Sequence, residues 1–64
     1  MKVTKELENI LIKHELDRMI ELLEEDCKIP IFQFDNYLSF MTDINNNTEY
    51  YARLDSFTDF IIIN

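Results

Sequence analysis

The stretch TKELENILIKHELDRMIELLEEDC, Thr4 to Cys27, decides how this chain is to be read. Thr4 can cap a helix, Glu6 and Glu8 suit its positive N-terminal end, and the interior is rich in Leu, Ile, Glu and Lys. The helix must stop before Pro30, because the residue preceding a proline is pushed out of helical geometry. The spacing therefore predicts one long N-terminal helix. At about 100° per residue, Val3, Leu7, Ile10 and Leu11 lie on one side, whereas Ile12, Leu16, Met19, Ile20, Leu23 and Cys27 lie roughly opposite. A straight helix with two offset apolar faces needs two things to pack against. One is the chain's own core, and the other is expected to be a second copy, seated on Val3, Leu7, Ile10 and Leu11.

Downstream, Pro30 and the triplet Asn45, Asn46, Asn47 punctuate the chain. Between them Phe34, Tyr37, Leu38, Met41 and Ile44 follow the spacing of one helix face, with Asp35 or Pro30 able to start it. From Thr48 to Ile63, Tyr50, Leu54, Phe57 and Ile61 again fall at helical spacing, with Asn47 or Thr48 as cap. The expected fold class is mainly α, a long N-terminal helix followed by two shorter helices in one domain over residues 1–64. An alternative stays open, because Tyr50, Ala52 and Leu54 alternate with Tyr51, Arg53 and Asp55, and Phe60 to Ile63 favours strand. That alternative is α+β, one helix plus a small antiparallel β-meander.

Sixty-four residues lie near the lower limit at which a hydrophobic core alone offsets chain entropy. One cysteine makes no intrachain disulfide, and a single histidine far from it makes no zinc site, so self-association is the staple that remains and a homodimer is expected. No apolar run approaches the roughly 20 residues that cross a bilayer, and the N-terminus lacks a signal-peptide core. The expected location is cytoplasmic, with no membrane partner.

Thirteen acids against six bases give a net charge of -7, which repels nucleic acid at long range and attracts basic protein surfaces. Direct nucleic-acid binding is not expected. Catalysis needs a positioned base, nucleophile or metal. His14, the only imidazole, has Asp17 and Arg18 at i+3 and i+4 and reads as part of a surface charge lattice. Cys27 ends an apolar stripe and reads as a small hydrophobe. The chain has no glycine with which to build a phosphate loop. The expectation is no enzyme, no cofactor and no metal.

The singular feature is the cluster Asp17, Glu21, Glu24, Glu25, Asp26, most of it along one edge of the expected helix. Like charges at this spacing cost a few tenths of a kcal/mol per pair, and near a helix C-terminus they oppose the macrodipole as well. Asp55 and Asp59 make a second acidic pair on the last expected helix, so that two rods of carboxylates imitate the phosphates of a duplex.

ILIKHELDRMIELL, Ile10 to Leu23, resembles the first helix of the AbbA family of small antirepressors, which bind the DNA-binding domain of the transition-state regulator AbrB. YARLDSFTD, Tyr51 to Asp59, is similar in pattern to that family's last segment, and residues 28 to 47 have no counterpart. The resemblance implies an acidic, mainly helical dimer acting as a DNA decoy, with Glu15 and Glu21 as acidic surface residues. The function expected from residues and resemblance together is a non-enzymatic inhibitor that blocks a basic, nucleic-acid-binding surface of another protein. It would be a DNA-mimic antirepressor or a phage-type anti-host or anti-defence factor, acting on a DNA- or RNA-binding regulator or a defence nuclease complex. The alternative is a structural or adaptor subunit whose acidity is incidental.

Overall fold

The expected long helix is two helices. In a computed structural model that describes all 64 residues, α1 spans Lys5–Lys13 and α2 spans Ile20–Asp26, joined by a 3-10 turn at Asp17–Met19. Thr4 caps α1 as expected, its hydroxyl accepting from the Leu7 N–H at 3.3 Å. The break lies at Glu15, whose backbone is left-handed, φ 59°. The Leu16 N–H reaches back to the Leu11 carbonyl at 2.7 Å and the Glu15 N–H to the Ile12 carbonyl at 3.0 Å, which is a Schellman ending built without glycine. A left-handed residue with a Cβ costs about 1–2 kcal/mol. Burying Leu16 completely returns about 1.5–3 kcal/mol, and the turn satisfies carbonyls that a helix end would leave open.

The turn resolves the two-face pattern. Folding the chain back at Glu15 aims Leu7, Ile10 and Leu11 of α1 and Leu16 and Leu23 of the following segment into the same core. Leu7 and Leu11 are wholly buried within a single chain, so the case for a dimer face on Val3, Leu7, Ile10 and Leu11 falls with the straight helix that required it. Ile12, grouped with Leu16 in the sequence, is the residue left in solvent.

After α2 the chain turns at Cys27, also left-handed, into strand β1, Lys28–Pro30. A 3-10 turn at Ile31–Gln33 leads to α3, Tyr37–Asn47, capped by Asn36, whose side chain accepts from the Ser39 N–H at 3.1 Å. Its buried stripe is Phe40 and Ile44, flanked by Tyr37 and Met41, while Leu38 faces solvent. The asparagine triplet lies in the last turn of α3 and does not interrupt it.

The last segment is a hairpin, which overturns the mainly helical expectation. Strands β2, Ala52–Asp55, and β3, Phe60–Ile63, pair antiparallel, and β1 pairs antiparallel with the other side of β3, giving the order β1-β3-β2. The fold is a mixed α+β domain of three helices and one three-stranded sheet, with neither the single helix nor the sequential meander of the alternative. Ile61 and Ile63 point inward with Ile29 and Ala52, and three consecutive β-branched residues resist helix and favour this half-buried strand. The hairpin turn closes on Asp55, whose carbonyl accepts from Asp59 at 2.8 Å and whose carboxylate accepts from the Phe57 N–H at 3.1 Å. Asp59 takes the third left-handed position.

Both sheet edges are blunted. Pro30 sits on β1 where its missing N–H faces outward. On β2 the Asn45 side chain accepts from the Ala52 N–H at 2.6 Å and donates to the Ala52 carbonyl at 3.0 Å, replacing a neighbouring strand for one residue. The helices cover one face of the sheet only.

Candidate functional site

Two regions carry most of the polar chemistry: a corner between α1 and α3, and the outer edge of α2. At the corner, Asp43 on α3 receives His14 Nε2 at 2.6 Å and Lys13 Nζ at 3.0 Å from the C-terminus of α1. Those two bonds, His14 first, hold the Asp43 carboxyl below its usual range. His14 also stands edge-on to Phe40, ring centres 5.5 Å apart, and Phe40 meets Phe34 at 4.8 Å. His14 is therefore not in the expected lattice with Asp17 and Arg18. Arg18 instead donates to the Glu15 carbonyl at 2.9 Å and to Gln33 Oε1 at 2.8 Å, pinning the Schellman turn to the segment after β1.

A cleft of about 250 Å³ opens beside this corner, lined by Lys13, His14, Glu15, Phe34, Asp35, Asn36 and Ser39. Ser39 makes no hydrogen bond to His14, whose polar contact is spent on Asp43, so base and nucleophile are not coupled. The corner joins α1 to α3 through the bonds of His14 and Lys13 to Asp43. No three His, Cys, Asp or Glu side chains are grouped to hold a metal ion, and no helix is long and apolar enough to cross a membrane.

The edge of α2 is the opposite case. Glu21, Glu24 and Glu25 share one exposed side of the helix, away from buried Leu23, and Asp17 is exposed on the 3-10 turn before it. Asp26 is exposed but turned about 100° from Glu25, off that edge. Glu15 lies exposed on the left-handed turn. None of these six carboxylates has a cationic partner, whereas Glu8 and Asp43 do. The cation that touches α2, the Met1 ammonium, bonds to the Glu24 carbonyl and not to a carboxylate.

Asp55 and Asp59 do not join this edge. They stand at the two ends of the hairpin turn, Asp55 half-buried and engaged with Phe57, so the second rod of carboxylates does not exist. The sequence reading also missed Asp43 and Phe40, the partners of His14, and the side chain of Asn45 as an edge guard. Phe40 had a visible signal, since it completes the spacing Tyr37, Phe40, Met41, Ile44. Asp43 had none, because only the packing of α1 on α3 brings it to His14. No protein-family model, curated protein or solved structure matches this chain.

Proposed function

We propose that this chain is a non-catalytic binding protein that presents the acidic surface Asp17, Glu21, Glu24, Glu25, with Glu15 and Asp26 at its margins, to a basic surface on another protein. One observation carries the reading: six exposed carboxylates between residues 15 and 26 lack a cationic partner, whereas the single carboxylate at the α1–α3 corner, Asp43, takes two. Glu21 suits the first turn of α2, but Glu24, Glu25 and Asp26 crowd toward its C-terminus and cost stability, a cost that a complementary partner offsets. The basic surfaces that fit are those that hold DNA or RNA, which makes the chain an inhibitor or antirepressor, as the likeness to the AbbA family also suggests. Free Cys27 and such a partner fit a cytoplasmic setting.

The test is parallel affinity capture from the native host with wild type and a Glu21→Lys, Glu24→Lys variant, at low and at physiological salt. A basic nucleic-acid-handling protein should be held by wild type, weakened by salt and lost by the variant. A partner held equally by both proteins would sink the acidic-surface reading. If that partner is also insensitive to salt, the adaptor function takes its place, a reading favoured by exposed Phe32 and Phe57.

A further inference from the structure

The sheet has a second face that no helix covers. Along β2 and its N-terminal flank the outward residues are Tyr51, Arg53 and Asp55, and the hairpin tip beyond them carries Phe57. On β3 they are Ile62 and Phe60, half-exposed and outside the core cluster. Lys28 of β1 lies on this face too, its ammonium 4.6 Å from the centre of the Phe60 ring. Tyr51 on this face is 61% exposed and Phe57 at the tip 97%.

We propose that this open face is the interface of an isologous homodimer, with the twofold axis running across the strands over the row Ile29, Ile61, Leu54. The face is self-complementary about that row. Register pairs Arg53 with Ile62 and Asp55 with Phe60, so rotation about the row sets each Arg53 opposite the second copy's Asp55 and each Ile62 opposite the second copy's Phe60. It also carries the hairpin tip with Phe57 toward the second copy's Tyr51. The other in-plane twofold, parallel to the strands, would set Lys28 against Arg53, like charge on like, and is disfavoured. Two sheets stacked in this way lie about 10 Å apart and leave the helices outermost. The acids of α2 are then on far sides of the dimer, beyond the screening length of about 8 Å at physiological salt. A nucleic acid is repelled by the net charge of -7. The inference rests on the sheet alone and is independent of the function proposed for the α2 edge.

Sedimentation of the full chain, with circular dichroism as the folding control, tests it through charge reversal. Wild type should be dimeric at about 100 µM, and Arg53→Asp or Asp55→Arg alone should weaken dimerisation at least about tenfold by placing like charges together twice. An equal mixture of the two single variants should recover a dimer, because the reversed charges then face each other at both contacts, and the double variant should recover one by itself. Asp55 also closes the hairpin turn; should Asp55→Arg fail to fold, Arg53→Asp and Ile62→Glu carry the test, both folded and both monomeric. A wild type that stays monomeric at that concentration, folded single variants that dimerise as well as wild type, or a mixture of folded variants that does not recover would each overturn the proposal. A monomeric wild type would leave the face to a foreign partner.

Discussion

The α1–α3 corner and the α2 edge lie within one small domain and treat charge in opposite ways. At the corner a single carboxylate, Asp43, gathers two nitrogen donors over an aromatic floor of Phe40 and Phe34. Along the edge, Glu21, Glu24 and Glu25 repel one another in solvent. Asp43 is paired and partly buried where it joins α1 to α3, whereas Glu21, Glu24 and Glu25 are exposed and unpaired along one side of α2.

Removal of the corner's aromatic floor should have the largest effect. Phe40→Ala should destabilise the domain by about 3–5 kcal/mol, since Phe40 is wholly buried and touches both α1 and the 31–34 segment. A thermal or denaturant melt that shifts by less than a third of this would mean that the corner is not where the helices are joined.

Acid probes the corner next. The Asp43 carboxyl titrates lower in the folded chain than in the unfolded one, so the unfolded state takes up its proton first as pH falls. The contribution is full at neutral pH and is lost as pH drops below the usual carboxylate range toward the lowered value. Asp43→Asn should lower the melting temperature at neutral pH and flatten its fall between pH 5 and 2, a window of the order of the usual carboxylate titration. Equal slopes for wild type and variant would show that the bonds from His14 and Lys13 contribute nothing in solution.

Glu15 joins the two regions, and its left-handed backbone strains the turn between them. Glu15→Gly should raise stability by up to about 1 kcal/mol, the saved steric cost being partly cancelled by the freer unfolded chain. A destabilised variant would mean that the Glu15 side chain supports the turn. The smallest effect belongs to the edge. Exchanging Glu21 and Glu24 for lysine should change the stability of the free protein by no more than about half a kcal/mol, because relief of repulsion with Glu25 is offset by loss of Glu21 from the first turn of α2, while abolishing partner capture. A melt that falls together with binding would make the edge a structural surface.

Much of α1 and α3 can be read from residues alone. Thr4 caps where a hydroxyl should, the apolar spacing of Tyr37 to Ile44 closes on a helix, and the carboxylates of residues 15 to 26 had to lie near one another by sequence proximity. The alternation around Tyr51 to Asp55 showed strand, yet helical spacing fits Tyr50, Leu54, Phe57 and Ile61 as well, and short apolar runs satisfy both periods. No local signal could decide that choice. It depended on Ile61 of β3 pairing with Ile29 of β1, a contact that spans half the chain.

Composition and local pattern were enough for the net charge, the Thr4 cap, the two offset apolar sets between Val3 and Cys27, and the acid-rich stretch in and just before α2, whereas α3 is capped by Asn36 and not by the expected Pro30 or Asp35, and Asn47 and Thr48 start no helix. Tertiary structure alone decided that those two apolar sets serve one core. With no glycine to mark the break, the chain bends at a glutamate, because one shared core buries Leu7, Leu11, Leu16 and Leu23 together and outweighs the local cost of a left-handed Glu15.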